Sequence, residues 1–138
     1  NKINNEKKYN FKNLTTNILI PTSVAIISSY YFFGIKLIEF IAGSGFADSY
    51  TPMLILLIGY LSYYLTFWTR HFLLLNGLIL KHTNGRIFNL CVFLITSPFL
   101  ISNYGFNGIA ASISLSILIQ KIYELSVYFK NKNIENNI

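Results

Sequence analysis

The chain has 138 residues and a formal net charge of +6, with 53% hydrophobic and only 12% charged residues. Soluble proteins carry roughly 25% charged residues, so a soluble domain of this size is excluded because it could not cover its surface. The cations lie in two tails and one short segment between long apolar stretches, which also excludes a nucleic-acid-binding face. The composition therefore predicts an integral membrane protein.

The first part of the chain is polar and then apolar. Residues 1–17 are polar and basic, and we predict a cytoplasmic segment without a packed core. A helix needs about 20 apolar residues to cross a bilayer, and the first predicted span is 18–34. Lys36 and Glu39 interrupt the apolar residues that follow, so 35–41 is predicted to be a separate amphipathic piece at the interface.

The second apolar stretch is too long for a simple span. Residues 48–80 written as one helix would be about 50 Å long, whereas the hydrocarbon core is about 30 Å thick. The helix must therefore tilt, kink or protrude from the membrane. We predict the second span at 50–75, with Arg70 in the half that protrudes or faces a cavity.

Two further spans are predicted after a polar turn. Residues 81–86 contain Asn-Gly at their centre, which is typical of a turn. The third span is predicted at 87–103, with a kink at Pro98 inside it. The uncharged residues 103–107 are predicted to form the next turn, and the fourth span follows at 107–128.

The distribution of basic residues predicts the orientation of these spans. Eight Lys or Arg residues lie in the N-terminal segment, the 81–86 turn and the C-terminal segment, which includes a predicted cytoplasmic tail at 131–138. The opposite side holds Lys36 alone, so the positive-inside rule places both ends in the cytoplasm. The predicted fold class is all-α, a polytopic membrane helix bundle with four transmembrane helices within residues 18–130.

Three ionisable residues fall inside or near the predicted hydrocarbon region: Arg70, Lys121 and Glu124. Charges at this depth usually face a cavity, a partner or the interface. Lys121 and Glu124 are three residues apart and can pair on one helix face. In one hypothesis, Arg70 and Lys121 line a water-filled path and attract an anionic group such as a phosphate, to which the planar Arg fork is suited. In the alternative, both cations extend to the lipid headgroups.

The fourth predicted span carries small residues at a regular spacing. Gly108, Ser112 and Ser116 follow one another at intervals of four. Small residues at this spacing let a second helix approach closely in a membrane. We interpret the stripe as a helix-packing surface.

The sequence contains no pattern typical of enzymatic chemistry. Cys91 lies inside an apolar run, and neither His71 nor His82 has partners at metal-ligand spacing. Nucleophile–base pairs, paired carboxylates and phosphate-binding glycine loops are also missing from the sequence. We therefore expect no enzymatic activity, no cofactor and no metal site.

The order of several features resembles a known family. A span ends in Phe33-Gly34, a Gly-Ser-Gly turn follows at 43–45, and a long helix ends in Leu-Asn-Gly-Leu-Ile-Leu-Lys. The stretch Tyr104–Ala111, which reads Tyr-Gly-x-x-Gly-x-Ala-Ala, opens the last helix and is the most specific of these features. Over residues 15–130 the chain resembles the C-terminal part of O-antigen or capsule repeat-unit flippases, in the multidrug/oligosaccharidyl-lipid/polysaccharide exporter superfamily.

The resemblance implies one lobe of a two-lobed transporter with about twelve helices or more. The substrate would be an undecaprenyl-pyrophosphate-linked oligosaccharide, moved across the bacterial inner membrane during synthesis of lipopolysaccharide or another surface polysaccharide. The partners would be the lipid bilayer, this substrate and the remaining helices of a longer transporter. Gly105 and Gly108 would be structural, for the turn and for close packing.

Two alternatives remain open at the level of sequence. The chain would also suit a multidrug or cation antiporter, which should hold a carboxylate deep in its bundle, and Glu124 is the candidate for that role. It would also suit a scaffold subunit of a membrane assembly without transport activity.

Overall fold

Every element between residues 15 and 135, which a computed structural model describes, is helical. This confirms the predicted all-α class. Three helical runs are long and apolar enough to cross a membrane, and they cover Asn17–Ala42, Ser44–Leu75 and Ile79–Asn131. Most of the predicted cytoplasmic segment 1–17 and the last residues of the predicted tail lie outside the described residues.

The chain forms two compact units, the first of which ends at Tyr50. In this unit a π-helical turn, Thr15–Leu19, leads into helix α1, Ile20–Ala42, and a 3-10 turn follows at Ser44–Ser49. The rings of Tyr30 and Tyr50 stack with centroids 5.3 Å apart. The end of the first unit therefore packs against the middle of α1.

Helix α1 is continuous, so the predicted separate piece at 35–41 is wrong. Lys36 and Glu39 are both exposed, and long charged side chains on one exposed face do not interrupt a helix. The helix ends instead at Gly43, whose N–H bonds to the carbonyl of Glu39 at 2.9 Å. Gly43 has a φ of 95°, a conformation that glycine adopts without a steric penalty.

The second unit begins with a kinked helix. Helix α2, Tyr50–Leu65, is followed after Thr66 by helix α3, Phe67–Leu75. The backbone of Thr66 leaves helical values, at φ −111° and ψ 17°, and its hydroxyl donates to the carbonyl of Ser62 at 2.7 Å. Threonine bonding back to the preceding turn often bends helices. The long apolar stretch is therefore kinked at Thr66 and is not one straight helix.

Helix α3 ends in a Schellman motif, which lies before the predicted polar turn. Leu78 N–H donates to the Leu73 carbonyl at 2.8 Å, and Gly77 N–H donates to the Leu74 carbonyl at 3.2 Å. Gly77 has a φ of 70°, the left-handed conformation that this cap requires. The chain therefore turns at Asn76-Gly77, the first of its three Asn-Gly pairs.

The predicted turn at 81–86 is wrong, because these residues are helical. They belong to helix α4, Ile79–Glu135, so the helix starts well before the predicted third span at residue 87. Gly85, in the second Asn-Gly pair, serves packing instead. A Cβ there would lie 3.2 Å from the ring of Tyr123.

Helix α4 consists of two arms joined at Gly105. The glycine has φ 55° and ψ −128°, outside the helical region, whereas the helix continues through Pro98. The break at Gly105 lies within the predicted turn at 103–107, and the backbone at Pro98 keeps helical values. The first arm, 79–104, and the second arm, 106–135, fold against each other, because a Cβ on Gly108 would collide with the Leu100 carbonyl.

The second arm also packs alongside α2 and α3. Ser114 Oγ donates to the carbonyl of Ile55 at 2.8 Å, and the Thr69 hydroxyl lies 3.2 Å from Glu124. Residue numbers increase together in these two contacts, so α2–α3 and the second arm run in the same direction. The first arm runs the opposite way, since Leu100 adjoins Gly108 whereas the earlier residue His82 contacts the later residue Glu124.

Candidate functional site

The second unit encloses a cluster of polar side chains around Glu124, whose exposure is 0%. One carboxylate oxygen accepts from Gln120 Nε2 at 2.8 Å and contacts His82 Nδ1 at 3.1 Å. The other accepts from Lys121 Nζ at 2.7 Å and lies 3.2 Å from the hydroxyl of Thr69. These five residues are called the Glu124 cluster below.

The cluster joins three helical segments. Gln120, Lys121 and Glu124 come from one face of the second arm, at spacings of four and three. His82 stands in the first turn of the first arm, and Thr69 lies on the buried face of α3. Each segment therefore contributes at least one hydrogen-bonding group to the same buried carboxylate.

Lys121 is a buried cation, with only 2% of its surface exposed. Its ammonium pairs with Glu124, as the spacing of three residues predicted, and also lies over the Tyr63 ring, 4.0 Å from the centroid. A ring face attracts a cation electrostatically, most strongly where water is excluded. The interpretation that Lys121 extends to the lipid headgroups is therefore wrong.

The ring beneath Lys121 gives a direct test of this packing. Tyr63→Leu should destabilise the protein by about 1–2 kcal/mol, because the desolvated ammonium loses its cation–π contact. Tyr63→Phe keeps the ring and should lose well under half of that. Chemical unfolding in detergent, followed by circular dichroism, measures both variants. Equal losses for leucine and phenylalanine would show that the ring face does not stabilise Lys121.

Arg70 lies apart from the Glu124 cluster. It is exposed, whereas its neighbour Thr69 is fully buried against Glu124. Successive residues of a helix point about 100° apart, so these two cannot share a face. The structure therefore does not bring Arg70 and Lys121 together in one path, and only the pair of Lys121 with Glu124 joins the cluster.

The predicted packing stripe is buried and continues into the cluster. Gly108, Ser112 and Ser116 are all buried, and the same spacing of four leads on to Gln120 and Glu124. The Ser112 hydroxyl donates to the Gly108 carbonyl at 2.9 Å, within its own helix. The stripe thus forms a narrow buried seam along the second arm.

Close helix contact occurs on another face of the second arm, at Ser114, which lies two residues from Ser112 and from Ser116 and so points away from the stripe. A Cβ on Gly59 would lie 2.8 Å from the Cα of Ser114, so α2 and the second arm approach backbone to backbone. Such contacts are typical of small residues between membrane helices. The close approach also explains why Ser114 reaches the Ile55 carbonyl.

The cluster does not have the composition of a metal site. In the part of the chain that the structure describes, no group of three or more His, Cys, Asp or Glu side chains could hold a metal ion. Both oxygens of Glu124 face hydrogen-bond donors, so neither oxygen is available to a metal ion. The chemistry available to the cluster is therefore hydrogen bonding, charge pairing and proton binding.

Sequence reasoning missed His82, Thr69 and Tyr63. The sequence predicts His82 in a turn, and the two other residues carry no charge that would single them out. The available signal was the Lys121–Glu124 pair itself, because a buried pair needs partners on the neighbouring helices. Buried ionic groups need additional hydrogen bonds to offset their desolvation.

Ionisable side chains within membrane helices are rare and usually mark functional sites. The Glu124 cluster buries a carboxylate, an ammonium and an imidazole together, within helices that are apolar enough to cross a membrane. No protein family, curated protein or solved structure matches the chain.

Proposed function

We propose that the chain is part of a membrane flippase that moves undecaprenyl-pyrophosphate-linked oligosaccharide repeat units across the bacterial inner membrane. The observation that carries this proposal is the Glu124 cluster, a fully buried set of charges inside a unit with an apolar exterior. Such groups are costly in a membrane and are retained mainly where a protein handles substrates, ions or conformational change. The order of sequence features from Phe33 to Ala111 supports the substrate class.

We further propose four spans, with both ends in the cytoplasm. The first arm of α4, 79–104, has 26 residues at about 1.5 Å each, enough to cross about 30 Å of hydrocarbon. The second arm is at least as long, so α4 supplies two antiparallel spans. Lys81, Arg86 and Lys130 then lie at the same end of this hairpin, where the positive-inside rule places them in the cytoplasm.

Cysteine labelling tests this topology. In a Cys91→Ser background, Ser44→Cys and Asn103→Cys should react with an impermeant maleimide added outside the inner membrane. Thr83→Cys should react only after the membrane is permeabilised, because it lies at the opposite end of the hairpin. All three positions are exposed on the protein. If Asn103→Cys fails to react from the outside, α4 does not turn back in the membrane and four spans are wrong.

The exposed Arg70 is the cation that we propose for the pyrophosphate of the substrate. Its planar guanidinium can donate two parallel hydrogen bonds to phosphate oxygens, which a lysine cannot reproduce. Arg70→Gln should reduce export of surface polysaccharide about tenfold or more, since hydrogen bonds between charged groups contribute about 1.5–3 kcal/mol. Arg70→Lys should restore only part of this activity.

The measurement is complementation in cells whose surface polysaccharide depends on this protein, with protein levels compared by immunoblotting. Arg86→Gln is the matched control, because Arg86 is also an exposed arginine in the second unit. It should leave export unchanged. Full activity of Arg70→Gln at a normal protein level would contradict the role of Arg70.

A cation or multidrug antiporter is the second candidate function, and the depth of Glu124 favours it. Antiporters of this kind need a carboxylate in the bundle, and Glu124 is completely buried. Its pairing with Lys121 argues for the flippase, because a carboxylate already paired with a cation is poorly placed to bind another. Drug-susceptibility assays in the same cells distinguish the two, since the flippase should give no resistance.

A further inference from the structure

His82 has a distinctive hydrogen-bonding state. An ionised carboxylate only accepts hydrogen bonds, so the Nδ1 atom that faces Glu124 at 3.1 Å must carry the hydrogen. In the neutral ring Nε2 then holds a free lone pair. The side chain retains 9% exposure, whereas that of Glu124 has none. We propose that the Glu124 cluster is a proton-binding site and that the proton binds at Nε2 of His82.

His82 is the member of the cluster that can gain a proton without losing a hydrogen bond. Protonating Glu124 would add a donor to a carboxylate that already faces donors, so one of its partners would have to turn away. Lys121 pairs with the carboxylate as an ammonium, which has no lone pair for a further proton. The bond of Nδ1 to Glu124, by contrast, becomes charge-assisted and therefore stronger once the ring is charged.

The charge balance of the cluster sets the consequence of this proton. With a neutral His82, the charges of Glu124 and Lys121 cancel. Protonation leaves a net charge of +1 inside the bundle, with two cations competing for one carboxylate. Glu124 should move toward His82 and hold Lys121 and Thr69 less firmly, so the contact of α3 with α4 weakens.

Other titratable groups lie around the cluster. The groups that face the cluster or adjoin it on the packed elements are Glu124, Lys121 and Tyr123 on the second arm, Lys81 and Arg86 on the first arm, Arg70 and His71 on α3, and Tyr63 on α2. Arg70, His71 and Arg86 are exposed on the protein, and Lys81 is half-buried. Glu124 is the charged group that contacts His82, and Lys121 is paired with Glu124.

A proton fits this site better than a metal cation. Sodium and other hard cations need several oxygen ligands with free lone pairs. Both Glu124 oxygens are occupied by donors, and the neighbouring ammonium would repel a second cation. The site is therefore expected to respond to pH and not to sodium.

Histidine nitrogen NMR on the full chain gives the first test. The chain has two histidines, so His71→Gln leaves His82 as the single imidazole. As the pH is lowered, the signals should pass from the neutral Nδ1–H tautomer to the imidazolium. An imidazole that stays neutral throughout, or that carries its hydrogen on Nε2 when neutral, would overturn the proposal.

Tryptophan fluorescence gives the second test. Trp68 is the single tryptophan and adjoins Thr69, so it reports on the contact between α3 and the cluster. Its emission should change with pH as a one-proton transition and should not change with sodium at constant pH. His71→Gln should keep the transition and His82→Gln should remove it, while glutamine still donates to Glu124. A transition that persists in His82→Gln would contradict a proton site at His82.

This proposal goes beyond the proposed function and does not depend on it. Both tests use the purified chain without a lipid-linked substrate. A failure of Arg70→Gln to impair export would therefore leave the proton site untouched, and a silent His82 would leave the flippase proposal standing. Far-UV circular dichroism of each variant shows whether it retains its helices.

Discussion

Replacing Lys121 with methionine is expected to destabilise the protein by about 3–5 kcal/mol. The substitution keeps the length of the side chain but leaves the Glu124 charge buried without its cation, which is among the most costly changes that a protein interior can undergo. Urea unfolding in detergent micelles, followed by circular dichroism, measures the loss. The exposed Lys130 supplies the control, because Lys130→Met should change stability by less than about 0.5 kcal/mol.

A second substitution separates a paired charge from simple packing. Replacing Glu124 with leucine in the Lys121→Met variant removes both charges, and well-packed apolar side chains can replace a buried ion pair at little cost. The double variant should therefore be more stable than Lys121→Met alone, even though His82 and Gln120 lose their acceptor. Strictly additive losses for the two substitutions would contradict the pairing of Lys121 with Glu124.

Gly108→Ala is expected to have the second largest effect, a loss of about 3 kcal/mol. The added Cβ would meet the carbonyl of Leu100 and lie 2.9 Å from the Ile101 nitrogen, both of which are backbone atoms. A flexible side chain could move aside, but the backbone of a helix cannot, so the two arms of α4 must separate near their joint. Overpacking in close-packed interiors ordinarily costs about 1–3 kcal/mol.

The matched control for Gly108 is Gly45→Ala. A Cβ on Gly45 meets nothing within 4 Å, so this variant should unfold at the same urea concentration as the unmodified protein. Limited proteolysis of Gly108→Ala should reveal cleavage near the joint at Gly105. Unchanged stability and unchanged proteolysis would show that the two arms are not in close contact at Leu100.

The helical class and the apolar runs could be predicted from the sequence, because membrane spans need long stretches without charge. Helix boundaries were harder to predict. Two Asn-Gly pairs lie within ten residues of each other, and both have the composition of a turn. The two glycines have different roles: Gly77 adopts the positive φ of the helix cap, whereas Gly85 leaves room for the ring of Tyr123. The contact with Tyr123 is tertiary, so the two dipeptides alone do not reveal which of them forms the turn.

The candidate site could be predicted only in part. The pairing of Lys121 with Glu124 follows from their spacing on one helix. The contribution of His82 requires two further facts, namely that the first arm starts at Ile79 and that the chain turns back at Gly105. Thr69 is an uncharged residue whose role depends entirely on the packing of α3. No local sequence pattern carries this information.

The joint at Gly105 restricts how the second unit can move. The two arms are connected by a single non-helical residue, and a close contact between them, Leu100 with Gly108, lies within five residues of it. Sliding one arm along the other by one helical turn, about 5.4 Å, would need slack that this short connection does not have. The two arms should therefore move together as one rigid body. The Glu124 cluster lies far from the joint, where a small rotation about the joint gives a large displacement.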